Sequence, residues 1–142
     1  MFLDYNAKDK TLTGPLLVCN IPHEINGYIY PKAEMIKAVQ AYQPRIDEDD
    51  AVGVLSLDNS HLVYTSKEPN PERIAASLSN IYFEGDTLMG VFKIWYKTND
   101  GGLLIAMSNA HFKFKASAVF TGFPKDNVVH NITIHFFYIA KI

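Results

Sequence analysis

Hydrophobic and polar positions change period several times along this chain, and each change marks an element. Residues 11–20 read as a strand interrupted by Gly14-Pro15, whose proline implies an edge position or a bend. Asn26-Gly27 is a tight-turn signal, because both residues tolerate positive φ. Pro31 then suits a first helical position, where its missing N–H would be unpaired anyway. From there Met35, Ile36, Val39 and Tyr42 recur on one face of a 3.6-residue period, which predicts an amphipathic helix over 31–42 ending near Gln43-Pro44.

The second half of the chain favours period two. Short strands are expected at 52–57 and 61–65, joined by a turn at Asp58-Asn59-Ser60, with a proline-stiffened loop over 67–72. Residues 74–83 and 87–96 form a predicted hairpin around Glu84-Gly85-Asp86. Its second strand carries apolar residues on both faces, which argues for a central position. Asn99-Asp100-Gly101-Gly102 breaks the pattern, and a short helix is expected over 103–107. Residues 112–121 alternate sharply, with Phe112, Phe114, Ala116, Ala118 and Phe120 on one side. A last strand over about 128–140 is apolar on both faces. The sum is an α+β domain, a mostly antiparallel sheet or barrel with two or three short helices, covering 1–142 as a single unit.

Composition narrows the picture. A chain of 142 residues buries roughly two-thirds of its unfolded surface, and a hydrophobic fraction of 48% excludes disorder. Thirteen basic against fifteen acidic residues give a formal charge of −2. No Lys/Arg cluster tracks a phosphate backbone, so nucleic acid is not an expected partner. No apolar run approaches a membrane span, and the N-terminus lacks the basic start and apolar core of a signal peptide. Cys19 is the only cysteine, which excludes an intramolecular disulfide; in the run Leu16-Leu17-Val18-Cys19 it reads as a buried structural thiol.

Candidate chemistry is thin. Asp47-Glu48-Asp49-Asp50 lacks the alternating spacing that wraps calcium and reads as a solvated loop. His130 and His135 are five apart, so on a strand they face opposite ways and cannot share a metal. His23 follows Pro22 in a loop. There is no Gly-rich phosphate loop and no opposed carboxylate pair. No cofactor and no metal is expected. Trp95, Tyr82 and Tyr96 could line the mouth of a barrel that binds a small molecule or peptide, although aromatics at strand spacing are usually core.

The order of the early parts, a strand, Asn26-Gly27, Tyr30-Pro31 and a short helix, resembles the opening of the prohead (capsid maturation) proteases of tailed bacteriophages. Their fold is similar to that of the herpesvirus assembly proteases. The resemblance runs over roughly residues 11–122. The family's histidine motif corresponds to Gly53-Val54-Leu55-Ser56-Leu57-Asp58, where Leu57 stands at the histidine position. Arg73 to Phe83, Asp86 to Trp95 and the Gly-containing helix entry Thr98-Asn99-Asp100-Gly101-Gly102 follow in the family's order. The nucleophile strand corresponds to Lys115-Ala116-Ser117-Ala118-Val119-Phe120-Thr121-Gly122. Ser117 is retained there, while the second serine has become Ala118 and the arginine Val119.

What the resemblance implies is a protease scaffold without its base. Serine alone is a very weak nucleophile at neutral pH and needs a positioned proton acceptor, which leucine cannot be. No catalytic residue is therefore expected; Ser117 is a vestigial nucleophile position, and Leu57 marks the lost histidine. The alternative is an active serine endopeptidase in which His61 or His111 replaces the imidazole. The expected role is a structural virion protein of a tailed phage, an auxiliary or decoration component made in the host cytoplasm. Its partners would be capsid or other virion proteins. The last strand should be either buried or paired with a neighbouring chain, and Phe2-Leu3-Asp4-Tyr5 could pair in the same way.

Overall fold

The computed structural model describes residues 2–57 and 68–142. Among these residues seven strands and two α-helices follow one another as β1 (Asp4–Asn6), β2 (Thr11–Val18), α1 (Lys32–Asp47), β3 (Val52–Ser56), β4 (Ile74–Glu84), β5 (Thr87–Ile94), α2 (Asn99–Asn109), β6 (Phe114–Lys125) and β7 (Val128–Lys141). A 3₁₀ turn, Pro71–Arg73, leads into β4. The strands form one sheet in the order β1-β2-β5-β4-β3-β7-β6. Five of its pairings are antiparallel, and only β3–β7 is parallel. The sheet curls until its two edges meet, where the Leu3 N–H donates to the Phe114 carbonyl at 2.8 Å. The expected α+β, mostly antiparallel architecture is the one observed. The expected strand over 61–65 and its preceding turn lie outside the described residues.

Most of the apolar residues converge on one interior. Phe92 on β5 and Phe137 on β7 are three strands apart in the sheet, yet their rings meet edge-on at 5.6 Å across it. Tyr42 of α1 adds a second edge-on contact to Phe137 at 5.9 Å. A smaller apolar cluster on the opposite face joins Val52, Val54, Phe136 and Tyr138, with Ile74, Trp95 and Val119 against it. Strands β3 and β7 therefore have core on both sides. That explains the unbroken apolar stretch near the C-terminal end of the sequence.

Four expectations need correction. Helix α1 does not stop at Pro44: it runs to Asp47 with that proline inside. Pro44 forfeits one helical N–H, but the last turn is held from outside. Ile46 is buried, and the Arg45 guanidinium donates to the carbonyls of His135 and Asp50. The buried face of α1 is Met35, Ala38, Tyr42 and Ile46, so Ile36 points outward. Pro31 is the cap residue rather than the first helical one. The Lys32 N–H is satisfied by the Asn20 side-chain oxygen at 3.0 Å.

The last of the four concerns α2, which begins at Asn99, not at 103. Thr98 caps it by accepting from the Gly101 N–H at 3.0 Å, and Gly101 is the residue that lets the helix start there. A Cβ at position 101 would lie 1.8 Å from the Trp95 carbonyl oxygen. The Gly-containing helix entry of the family resemblance placed this start correctly, where local periodicity did not.

The predicted hairpin of β4 and β5 is present, turning at Gly85 with φ +58°. β5 lies between β2 and β4, as expected of a central strand. β7 is paired on both sides within the chain, with β3 and with β6, so it offers no free edge.

Candidate functional site

Strand β6 carries Ser117, and its surroundings follow from strand alternation. Phe114 and Ala116 are buried in the main interior, with Ala118 and Phe120 packed against it. Ser117 points to the other face, in register with Tyr138, which is itself in register with Val54 of β3. Leu57 lies one residue past the end of β3, 44% exposed. It is three residues beyond the Val54–Tyr138–Ser117 row, about 10 Å along an extended chain.

Beside β6 is a groove of about 750 Å³ between that strand and the second half of β2, roofed by the 21–26 loop. Ser117, Lys115 and His23 all line it. The loop is a small hairpin, closed by the Gly27 N–H on the His23 carbonyl and the His23 N–H on the Tyr28 carbonyl, both at 2.8 Å. Its base is tied to α1 through Asn20, and Glu24 at its tip reaches Lys115 at 3.7 Å. Both partners of that ion pair are well exposed, so it orients the loop more than it stabilises the fold.

The groove's imidazole is in the wrong state to act as a base. His23 Nδ1 accepts the Ile25 N–H at 3.2 Å, so in the neutral ring the proton sits on Nε2. A general base for serine needs an imidazole nitrogen that is free to accept. Partial burial lowers the His23 pKa below 6.5, against the opposing pull of Glu24, so the obstacle to base catalysis is the engagement of Nδ1 and not the charge of the ring. Among the described residues no imidazole is hydrogen-bonded to Ser117.

The other histidines are accounted for as far as they are described. His111 takes φ +67° just after α2, where its N–H bonds to the Ser108 carbonyl and the Phe112 N–H to the Met107 carbonyl. This is a helix-terminating motif with His111 in the left-handed position, its side chain exposed. His111 is not among the groove residues. His61 lies outside the described residues. His130 sits 3.8 Å from Glu34. His135 bonds through Nε2 to the Thr121 hydroxyl at 2.8 Å, while its carbonyl accepts from Tyr42 and Arg45.

Cys19 is fully buried, and burial together with the Asp86 charge pushes its thiol up to about 11, an inert structural cysteine. The aromatic trio does not form a common binding mouth. The Trp95 indole N–H is bonded to Ser77, and Tyr96 is exposed beneath the ammonium groups of Lys10 and Lys97. Among the described residues no group of three or more His, Cys, Asp or Glu side chains is arranged to hold a metal ion. No helix among them is long and apolar enough to cross a membrane.

Two features of this site were not legible in the sequence. His23 read as a loop residue with no role, because nothing local ties it to a strand 94 positions later. The Thr121–His135 bond depends on an irregular register between β6 and β7, which strand alternation does not reveal.

This mixed α+β architecture, a seven-stranded, mostly antiparallel sheet with two helices, resembles the prohead protease fold. Among solved structures, that of the bacteriophage T4 capsid assembly protease, gp21, matches with a TM-score of 0.76 at 17% sequence identity. The match covers 92% of this chain and 80% of that one. At this identity the likeness is one of fold. No protein-family model matches the chain, and no curated protein matches it in sequence.

Proposed function

We propose that this chain is a non-catalytic structural protein of a tailed phage, associated with the capsid and built on the capsid assembly protease fold. The observation that carries the reading is at Ser117. Its hydroxyl has no imidazole partner among the described residues, and in neutral His23, which lines the same groove, Nδ1 is engaged by the Ile25 N–H and the proton sits on Nε2. Without a base, attack on a peptide carbonyl loses the step that makes serine nucleophilic. The fold likeness supports the phage-capsid context, and the two-sided core of β3 and β7 supports a rigid scaffold.

A second reading keeps the protein an active serine endopeptidase using Ser117 with a relocated histidine. The presence of His23 in the same groove favours it over an arbitrary choice of base, with Nδ1 released from the Ile25 N–H to accept the proton. One experiment separates the two. The purified protein is treated with a fluorophosphonate probe and, separately, incubated with capsid and scaffold proteins of the phage that encodes it. The structural reading expects no label, uncut proteins and co-sedimentation with particles. Labelling that disappears in Ser117→Ala, with cleavage lost in the same variant, overturns it.

A further inference from the structure

We infer that Asn26 is a site of spontaneous deamidation, held in check while the small hairpin that carries it is folded and released when that hairpin opens. The inference concerns a covalent change in the roof of the groove and stands whether or not Ser117 is active.

Asn26 is the only asparagine of the chain that is followed by glycine. The reaction is intramolecular. The Gly27 nitrogen loses its proton and attacks Asn26 Cγ, the Cγ–Nδ2 bond breaks, and ammonia leaves behind a five-membered succinimide. Water then opens that ring to aspartate or isoaspartate, so solvent supplies the only other reactant. Glycine favours the closure because it has no Cβ to crowd its nitrogen and a wide choice of φ.

Sterically the site is open. Asn26 and Gly27 are both exposed, and Gly27 holds φ +74° with nothing within 4 Å of where a Cβ would stand. Hydrogen bonds supply the restraint that packing does not. The Gly27 N–H donates to the His23 carbonyl at 2.8 Å, so removing its proton would leave a negative nitrogen facing a carbonyl oxygen. Asn26 Nδ2, the leaving nitrogen, donates to the Tyr30 hydroxyl at 3.0 Å. Tyr30 is buried, with its ring against Phe120 and His23, so the carboxamide is tied to a fixed anchor. The Tyr28 N–H donates to Asn26 Oδ1 at 2.9 Å, which polarises the carboxamide while fixing its plane. Ring closure has to release the Gly27 and Nδ2 bonds together, and opening of the hairpin does so.

Either product changes the roof. A carboxylate arrives two residues from Glu24, which already pairs with Lys115 at 3.7 Å, the one ammonium among the residues lining the groove. Isoaspartate also lengthens the backbone by one carbon. That misaligns the Gly27–His23 and His23–Tyr28 bonds by which the hairpin closes. Loss of ammonia makes the change one-way, so the acidic form accumulates with the time the hairpin spends open.

The test uses the full chain in mildly alkaline buffer, native and unfolded in guanidinium chloride. Conversion is read on the tryptic peptide 11–32 by mass spectrometry, with isoaspartate resolved by chromatography. Asn26 should convert before any other asparagine in the unfolded chain, and at least about tenfold more slowly in the native one. Tyr30→Phe keeps the ring and removes the acceptor of Nδ2. It should raise the native rate several-fold and leave the unfolded rate unchanged. Should that variant fail to fold, the parent chain in sub-denaturing urea serves instead, where conversion should rise in step with amide exchange at Gly27 measured by NMR.

Equal rates in the native and unfolded chains, or a faster native rate, would show that the hairpin does not restrain the reaction and would overturn the inference. So would a Tyr30→Phe protein that folds and converts at the parent rate, or another asparagine converting first in denaturant. None of these outcomes bears on fluorophosphonate labelling of Ser117, so the non-catalytic reading is tested separately.

Discussion

Thr121 Oγ1 lies 2.8 Å from His135 Nε2, whereas Ser117, four residues earlier on the same strand, has no imidazole partner among the described residues. The hydroxyl–imidazole bond of this site thus sits away from the groove, at a register irregularity between β6 and β7. There it ties the hairpin to α1, because the His135 carbonyl also accepts from Tyr42 and Arg45. A Thr121→Val variant keeps the shape and removes the hydroxyl. It is expected to cost about 1–2 kcal/mol, lowering Tm by roughly 3–6 °C for a chain of this size. A calorimetric scan checks it, and an unchanged melt would mean the bond is incidental.

Gly101 and Gly102 give a matched pair. Ala at 101 drives a methyl into the Trp95 carbonyl, so the first turn of α2 must move, at a cost of about 3 kcal/mol or more. Ala at 102 meets nothing nearer than 3.6 Å and gains helix propensity, so it should stabilise by up to about 1 kcal/mol. Urea denaturation midpoints of the two variants should move in opposite directions.

Cys19 should behave as an unreactive thiol. With its pKa raised from 9.0 to about 11, the thiolate fraction at pH 8 falls about a hundredfold, and full burial blocks access as well. Iodoacetamide should therefore leave the native protein unlabelled over hours and label it fully in denaturant. Rapid labelling of the native state would show that the β2 end opens readily.

His23 predicts a pH dependence of definite sign. Its folded pKa is lowered below 6.5, mainly by burial, so the unfolded chain binds the proton more tightly. Its contribution to stability is full above pH 6.5 and is lost as pH falls from there toward the folded pKa. NMR titration should place the His23 ring below 6.5, and His23→Gln should flatten that part of the stability profile. A ring titrating above 6.5 would also weaken the tautomer argument made for the groove.

How much of this was legible in the sequence divides along physical lines. Hairpin β4–β5 was readable because period-two alternation and a Gly turn are local signals. The end of α1 was not, because Pro44 is a strong local stop that only the burial of Ile46 and the contacts of Arg45 override. The start of α2 was missed for a related reason. A glycine pair reads as a break until the Trp95 carbonyl beside it explains why no side chain is allowed. At the site, Ser117 was singled out through motif order, which survives in sequence. His23 was not, because its approach to Ser117 comes from the folding of a small hairpin over a distant strand.

By itself the sequence determined the class of fold and the strand that bears the serine, since alternation, turn chemistry and helix period are set by neighbouring residues. Tertiary structure alone decided that both faces of β3 and β7 are core, and that His23 roofs the Ser117 groove with its proton on Nε2. Those depend on which strands lie side by side and how the sheet closes, and contacts between residues far apart in the chain leave no periodic trace along it.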